Sequence, residues 1–567
     1  MTMAAEAAAD AKVWLKSYPP GVPAEISVAE FPSIRAILER SCARYAGLPA
    51  FSCMGRTITY AQLDALSRDF GSWLQNARGL AKGARVALMM PNLLQYPIAL
   101  FGALRAGMVV VNCNPLYTPR ELEHQLNDSG ADAIVVLENF AHTVEEVIGR
   151  TRVRHVVTTQ LGDLQGFPRS LLVNAVVKHV KRMVPRWSLP GATAFPEVLA
   201  AGRRQPLTEP PLAHSDLAFL QYTGGTTGVS KGAMLTHGNI VANLQQVSAW
   251  VGGKLEEGRE VVITALPMYH IYALTAGCLA NLKIGAHNVL ITNPRDLPGF
   301  VKTLSRYRFS TMSGVNTLYN ALLHTPGFAE LDFSSLKVSV GGGMAVQRAV
   351  AERWKKVTGK PLLEGYGLTE TSPVACTSPL VEGAEFNGTA GLPVPSTIVT
   401  IRDDDGRILP LGQTGEICIA GPQVMKGYWN RPDETAKVMT ADGAFRTGDI
   451  GLMTPEGYVK IVDRKKDMIL VSGFNVYPNE VEDVIAMMPG VREVCAVPAP
   501  DEHSGEAVRV VIVRKDPALT KEQVIEHCRR ELTAYKVPHI VEFWDELPKT
   551  NVGKVLRREV RAAPSRA

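Results

Sequence analysis

The chain has 567 residues, of which 46% are hydrophobic and 20% are charged, so it is too long for one compact domain and too apolar to be disordered throughout. Its 60 Lys and Arg residues against 55 Asp and Glu residues leave a net charge of only +5, which argues against a nucleic-acid-binding protein, since such proteins carry a concentrated basic surface. Its eight scattered Cys residues include no C-x-x-C pair, which disfavours a zinc site or a disulfide framework and favours a reducing cytoplasm.

Two uncharged apolar runs, residues 86–104 and 261–282, are the candidates for membrane spans. Each is interrupted by proline, at Pro91 and Pro267 among others, so each is predicted to form a buried strand, a turn and a buried helix. The N-terminal segment carries two acidic residues and no continuous apolar core, unlike a secretory signal. We therefore predict a cytoplasmic protein, either soluble or bound peripherally to the cytoplasmic face of the membrane.

Short apolar runs alternate with helical stretches from Pro32 to about residue 470. The clearest runs are residues 85–90, 132–137, 217–223, 261–266, 287–292 and 336–342. Continuous apolar character with intervening helices is typical of strands that are buried on both faces, and it predicts parallel α/β sheets. From residue 395 to residue 462, shorter strands follow one another with Gly and Asp turns between them, which predicts a small antiparallel β-unit.

A dense charge cluster at residues 463–468 (DRKKDM) marks a domain boundary. Beyond it, Pro478 opens a predicted helix, and Thr520 with Gln523 forms a capping box for a second helix that ends near Tyr535. The predicted fold class is thus α/β. A large N-terminal domain over residues 1–462 contains α/β sheets and the small β-unit, and a mobile α+β domain follows over residues 463–567.

The most informative segment is YTGGTTGVSKGAMLTHGN, residues 222–239, where a strand runs into glycines, hydroxyl side chains and Lys231. Glycines let the backbone approach phosphate oxygens, to which N–H groups, hydroxyls and a lysine donate, so we predict a phosphate-binding loop. It is not a Walker A loop, because G-x4-G-K-[ST] is absent. The same segment contains G-V-S-K-G, the nucleophile-elbow pattern of α/β-hydrolases, but the strand ends near Thr223, well before Ser230.

Three later motifs follow this loop in a fixed order: GYGLTE at 365–370, the pair RTGD (446–449) and DRKKD (463–467), counted as one, and PKTNVGK at 548–554. Together the four motifs strongly resemble the adenylate-forming superfamily of acyl-CoA ligases, luciferases and peptide-synthetase adenylation domains, over residues 30–560. Within it, the segments NFAHTVEEV at 139–147 and LLVNAVVKHVKRMVPRW at 171–187 are most similar to bacterial long-chain fatty acyl-CoA ligases. The stretch LPMYHIYAL at 266–274 lacks the Asp by which peptide synthetases hold an amino acid.

The resemblance implies a two-step reaction with ATP, Mg²⁺ and coenzyme A. A fatty carboxylate attacks the α-phosphate of ATP and gives an acyl adenylate and pyrophosphate, and the thiol of coenzyme A then displaces AMP. Both reactants of the first step are anionic, so the site must neutralise charge. Three alternatives remain open: a medium-chain or aryl acid ligase, a Ser230 hydrolase, and a non-catalytic lipid-binding protein. We expect no nucleic acid partner, and we expect a homodimer.

The resemblance also implies a set of site residues. Thr223 and Glu370 are expected to hold Mg²⁺, as suits a hydroxyl and a carboxylate. The expected ATP-binding residues are Thr223, Gly224, Gly225, Thr226, Thr227, Gly228, Ser230, Lys231, Gly342, Gly343, Glu364, Gly365, Tyr366, Gly367, Thr369, Asp449, Arg464 and Lys554. Among these, Tyr366 is expected to stack on adenine, Asp449 to accept from the ribose hydroxyls, and Arg464 to support the same sugar.

Lys554, Glu370 and His270 form the implied catalytic set. Lys554 would bridge the carboxylate and the α-phosphate, although a solvated basic tail is its simpler interpretation. His270 is equally compatible with a core group. Asp463 resembles the hinge about which the small domain turns between half-reactions, and Gly473 would leave room for the pantetheine arm of coenzyme A.

Residues 169–187 contain apolar side chains at helical spacing with Lys178, Lys181 and Arg182 between them. A basic amphipathic helix of this kind can dock on an anionic membrane surface. The alternative, a helix packed on its own domain with a solvated basic face, is favoured by the sequence alone.

Overall fold

The computed structural model describes residues 12–223, 230–501 and 503–564, which form four β-sheets with helices packed around them. The first sheet has seven strands, in the spatial order Thr193–Ala194, His155–Thr159, Ala133–Leu137, Arg85–Met89, Val109–Asn112, Leu217–Thr223 and Lys231–Thr236. All its pairs are parallel except the last, where Lys231–Thr236 returns antiparallel to Leu217–Thr223. The phosphate-binding loop of the sequence prediction therefore connects two neighbouring strands.

The second sheet has nine strands and is parallel through its centre. Their spatial order is Leu392–Pro393, Val374–Thr377, Leu363–Gly367, Val338–Gly342, Thr311–Gly314, Val261–Thr264, His287–Leu290, Pro49–Cys53 and Arg56–Thr59. Antiparallel pairs occur only at its two edges. The six apolar runs predicted as strands are all strands, which confirms the α/β fold class; Ala133–Leu137, for example, is buried along its whole length because the sheet is covered on both faces.

The third and fourth sheets are smaller. The third is antiparallel and consists of Ile398–Arg402, Gly415–Ala420, Phe445–Met453 and Val459–Arg464. The fourth belongs to the C-terminal part and consists of Phe474–Val476, Ile469–Val471, Gly505–Arg514, Val491–Asp501 and, paired with Gly505–Arg514, Ile540–Trp544. The chain passes from one to the other between Arg464 and Ile469, at the charge cluster.

The α-helices of the described residues are Ile34–Arg44, Tyr60–Ser72, Gln95–Arg105, Pro119–Ser129, Ala141–Ile148, Arg169–Ala175, Phe195–Gly202, His237–Val251, Ala280–Lys283, Leu297–Leu304, Asn316–Leu323, Arg348–Thr358, Pro432–Val438, Pro478–Ala486, Lys521–Glu531 and Arg557–Ala562. The predicted capping box is present, because the Thr520 side chain accepts from the Gln523 backbone. The helix nevertheless ends at Glu531, short of the predicted Tyr535, since Leu532 and Thr533 have extended backbone.

The two candidate membrane spans are resolved into short elements. The first is strand Arg85–Met89 followed by the wholly buried helix Gln95–Arg105. The second begins with strand Val261–Thr264 and continues into the helical turns Ala273–Leu279 and Ala280–Lys283. Among the residues that the structure describes, none of the helices has both the length and the apolar character needed to cross a bilayer.

Candidate functional site

A cavity of about 1110 Å³ lies where the carboxyl ends of the parallel strands meet the third sheet and the C-terminal domain. Loops that follow parallel strands converge at this edge, which explains why motifs distant in sequence meet here. The predicted residues on its wall are Thr223, Lys231, His270, Gly342, Gly343, Gly365, Tyr366, Gly367, Thr369, Glu370, Asp449, Arg464 and Lys554. Gly224, Gly225, Thr226, Thr227 and Gly228 lie outside the described residues.

Glu370 and Thr223 supply oxygen atoms to one end of the cavity. Glu370 is 8% exposed, and burial raises the pKa of its carboxyl, while a 2.7 Å hydrogen bond from the Tyr428 hydroxyl acts in the opposite direction. A carboxylate and a hydroxyl are hard donors that suit Mg²⁺, an ion that usually completes its coordination with water and substrate phosphates. The residues present therefore fit Mg²⁺ delivered with a nucleotide.

Asp449 and Arg464 face each other on paired strands of the third sheet. Arg464 Nε lies 3.1 Å from one oxygen of Asp449, and the Tyr366 hydroxyl donates to the other at 2.7 Å. Asp449 is 4% exposed, so these two partners hold a buried carboxylate in one orientation. The arrangement places a fixed acceptor beside the Tyr366 ring, as a nucleoside site requires.

Lys554 enters the cavity from the C-terminal domain. A Cβ atom added at Gly343 would lie only 3.1 Å from its Cε atom, so the glycine makes room for the lysine stem. Burial lowers the pKa of Lys554 to about 8, and the nearby Arg464 acts in the same direction. Burial, together with the charge of Lys554, lowers the pKa of His270 to about 3. His270 is therefore neutral at physiological pH, whereas Lys554 can carry a positive charge there.

Four predicted residues do not line the cavity. The Ser230 hydroxyl donates to the Thr223 carbonyl oxygen at 2.7 Å, so it is committed to holding the loop base and is not paired with a general base as a hydrolase nucleophile would be. The Glu364 carboxylate accepts from the Val346 backbone at 2.9 Å, and burial raises its pKa to about 8.

The other two, Asp463 and Gly473, belong to the region where the C-terminal domain begins. Asp463 is 1% exposed and accepts from the backbone N–H of Asn479 at 2.9 Å. It also pairs with Arg557 at 3.3 Å. Gly473 lies in the turn between Ile469–Val471 and Phe474–Val476 with φ +84°, and a Cβ atom there would meet nothing within 4 Å.

Sequence reasoning missed two residues that contact Glu370 and Lys231 on the cavity wall. Tyr428, besides its bond to Glu370, places its ring 5.1 Å from the Lys231 ammonium, and Glu434 forms an ion pair with the same ammonium. Both residues belong to the segment GYWNRPDET. Only the acidic residues after Arg431-Pro432 give a local signal there, that of a helix start.

An apolar branch extends from the polar part of the cavity along the face of the nine-stranded sheet. Its wall includes Val247, Val251, Leu255, Val262, Ile284, Met312, Val338 and Val340. Tyr272 lies on this wall beside Gly342, and its hydroxyl donates to the Val340 carbonyl oxygen at 3.2 Å. Leu274, two residues further along the chain, packs into the core and does not line the cavity. One cavity thus joins a charged region to an apolar channel.

Comparisons with known proteins cover both parts of this site. The family model of AMP-binding enzymes matches residues 38–429, and that of the AMP-binding enzyme C-terminal domain matches residues 480–554. The long-chain-fatty-acid–CoA ligase of Escherichia coli O6:H1 is 58% identical over 550 residues, which are 97% of this chain and 98% of that protein. The Haemophilus influenzae ligase of the same name is 51% identical over 554 residues, with the same coverage. The crystal structure of ATP-bound MatB from Rhodopseudomonas palustris matches with a TM-score of 0.80 at 28% identity, covering 93% of this chain and 98% of that one.

Proposed function

This chain belongs to the family of AMP-binding enzymes, and on that basis we propose that it ligates long-chain fatty acids to coenzyme A, with ATP as the energy source and an acyl adenylate as the intermediate. The observation that carries this proposal is the single cavity in which Lys554, Asp449 and Glu370 meet an apolar channel. AMP and pyrophosphate are the other products.

In the first half-reaction, a carboxylate oxygen of the fatty acid bonds to the α-phosphorus of ATP, and the bond to the pyrophosphate oxygen breaks. Lys554 lies where it can contact both anions and offset the charge that accumulates between them. Asp449 accepts from the ribose, and Lys231 leaves Glu434 for the phosphates. Thr223 and Glu370 would hold Mg²⁺, whose charge offsets that of the phosphates when it is bound.

The apolar channel favours a long acyl chain over an aryl acid. Gly342 and Val338 are both on the cavity wall, and they are the two ends of one strand. Four residues of strand span about 13 Å at about 3.3 Å per residue, and the channel continues to Leu255 and Ile284. A single aromatic ring would leave most of that length empty, whereas an extended hydrocarbon chain would fill it. Medium-chain acids are the second candidate substrates.

In the second half-reaction, the C-terminal domain turns about a hinge at Asp463 and presents the Gly473 turn to the acyl adenylate. Asp463 is bonded to Asn479 and Arg557 of that domain, so its side chain stays with the moving part. The thiolate of coenzyme A then bonds to the acyl carbon, and AMP leaves.

Exchange of labelled pyrophosphate into ATP, measured without coenzyme A across acids from acetate to oleate, tests the reaction and the substrate class together. Exchange that rises with chain length is expected. Exchange restricted to short or aromatic acids would overturn the long-chain assignment, and no exchange with any acid would overturn the adenylation.

The rate of adenylation is expected to fall above about pH 8, because Lys554 must be protonated to carry its charge and burial lowers its pKa to about 8. Below that pH the ammonium is present, and each pH unit above it lowers the rate of adenylation by about tenfold. The measurement is kcat/KM for ATP in the exchange assay from pH 6.5 to 9.5, which also avoids the titration of the coenzyme A thiol. Lys554→Arg stays charged and should be slower but flat above pH 8. An identical decline in this variant would contradict the assignment.

Residues 169–187, together with the preceding Phe167, are proposed to dock on an anionic lipid surface. Val173 and Val177 face the domain, whereas Phe167, Leu172 and Val180 are 85%, 66% and 74% exposed. Exposed apolar side chains next to exposed cations are typical of a segment that binds at a membrane surface. Burial of the apolar side chains and attraction of the cations to anionic lipid would both favour binding there.

Sedimentation with vesicles of anionic phospholipid should therefore be lost in the variant Lys181→Glu/Arg182→Glu. Added salt should not restore the sedimentation of this variant. Lys178 is left unchanged because it lies 3.9 Å from Glu138. A variant with the same charge change on another exposed stretch, Lys302→Glu/Arg306→Glu, is the matched control. Equal sedimentation of the two variants would reject docking through this segment.

The homodimer stays a prediction, to be decided by analytical ultracentrifugation.

A further inference from the structure

The helix Asn316–Leu323 of the large domain contacts the C-terminal domain at two points one helical turn apart. The Thr317 hydroxyl donates a hydrogen bond to the Gly553 carbonyl oxygen at 2.7 Å, and the Asn320 side-chain amide donates to the Arg492 carbonyl oxygen at 2.9 Å. Residues three apart share one face of a helix, so this face acts as a docking surface for the small domain. Neither side chain lies on the cavity wall.

The contact at Gly553 is coupled directly to Lys554. The Lys554 backbone N–H donates to the Thr550 hydroxyl at 3.1 Å, and the Thr550 N–H donates to the Lys554 carbonyl oxygen at 2.7 Å. Residues 550–554 therefore form a closed turn in which the position of Gly553 sets that of Lys554. A Cβ atom at Gly553 would lie 3.0 Å from the Thr317 hydroxyl oxygen, and its φ is +85°, so glycine permits both the turn and the close approach.

We infer that the helix Asn316–Leu323 is a latch for the orientation of the C-terminal domain in which Lys554 reaches the cavity, with Thr317 as a positioning residue for Lys554. The inference rests on the proposed function, since it assigns the latch to one of the two half-reactions. Turning about Asp463 for thioester formation requires both hydrogen bonds to break. The latch thus favours adenylation and opposes the second orientation.

The change Thr317→Val removes the donor and keeps the shape of the side chain. One neutral hydrogen bond changes the ratio of two orientations by up to about tenfold. Adenylation, measured by pyrophosphate exchange, is therefore expected to slow about 5- to 10-fold. Transfer of the acyl group from supplied acyl adenylate to coenzyme A is expected to be no slower than in the unsubstituted enzyme, and the KM for ATP should stay within about twofold.

Three further variants make the test specific. Thr317→Ser retains the donor and should restore adenylation to within about twofold. Asn320→Ala breaks the second contact and should act in the same direction as Thr317→Val. Thr303→Val removes a hydroxyl that donates only within its own helix, to Gly299, and should change neither half-reaction.

Equal slowing of both half-reactions in Thr317→Val, or unchanged adenylation in it, would overturn the latch. Failure of the proposed function has a different signature, because the unsubstituted enzyme would then show no pyrophosphate exchange with any acid.

Discussion

Lys554→Ala is expected to slow acyl-adenylate formation by about 100- to 1,000-fold and to leave thioester formation from supplied acyl adenylate within about twofold of the unsubstituted enzyme. The large loss follows from the anionic character of both reactants. Once the Lys554 ammonium is removed, the cavity loses the cation that lies against Gly343, while Arg464 remains paired with Asp449. The proposed second half-reaction uses the Gly473 face of that domain, so thioester formation would not depend on the Lys554 side chain.

Lys549→Ala is a matched control for this prediction. Lys549 belongs to the same segment, but its ammonium pairs with Glu493 at 2.7 Å and does not line the cavity. The variant should retain adenylation within about threefold, since it breaks one partly exposed ion pair. The two half-reactions are measured separately, by pyrophosphate exchange and by thioester release. Equal loss of both in Lys554→Ala would show that Lys554 supports the fold of the domain and not one chemical step.

The elements of the fold that sequence predicted well are those whose signal is local. Strands such as Ala133–Leu137 are continuous apolar runs because both faces are covered, and the cap at Thr520 needs only a neighbour three residues away. The motifs predicted the wall of the cavity for the same reason. The strand that ends at Thr223 and the motif GYGLTE at 365–370 are at the carboxyl ends of parallel strands, which meet at one edge. RTGD and DRKKD start on strands of the antiparallel third sheet, and PKTNVGK belongs to the C-terminal domain, so these motifs reach the cavity through the packing of those units.

The parts of the site that sequence did not predict depend on contacts between distant residues. Tyr428 reaches Glu370 across 58 positions, Glu434 reaches Lys231 across 203, and Thr317 reaches Gly553 across 236. No periodicity or spacing encodes such pairs. Glu364 illustrates the converse: its motif lies at the cavity, yet the Val346 backbone binds its carboxylate away from the wall.

The exposed fraction of individual side chains was equally hard to predict for residues 169–187. The helical spacing of the apolar residues predicts one buried stripe, and Val177 is indeed buried. The same spacing does not predict that Leu172 and Val180 are exposed to solvent, because their exposure depends on how far the neighbouring protein surface extends.

Gly473→Leu is expected to have the reverse effect of Lys554→Ala: thioester formation should fall about 100-fold or more, and adenylation should stay within about threefold. In the orientation seen here, a Cβ atom at Gly473 would meet nothing within 4 Å, so a larger side chain does not disturb the adenylation geometry. After the domain turns, the same side chain would occupy the space proposed for the pantetheine arm. The substitution would then block the approach of the thiol to the acyl carbon.

The backbone at Gly473 adds a cost that the control must separate from this steric effect. Its φ of +84° is unfavourable for leucine by about 1–2 kcal/mol, which lowers stability whatever the reaction. Gly443 has φ +83° and the same open surroundings in an exposed turn of the large domain. Gly443→Leu therefore introduces the same backbone strain at a position outside the proposed coenzyme A site. Thermal unfolding should shift similarly in both variants, and thioester formation should be lost in Gly473→Leu alone. If Gly443→Leu lost thioester formation equally, strain and not the blocked arm would be the cause, and the turn at Gly473 would have no place in the second half-reaction.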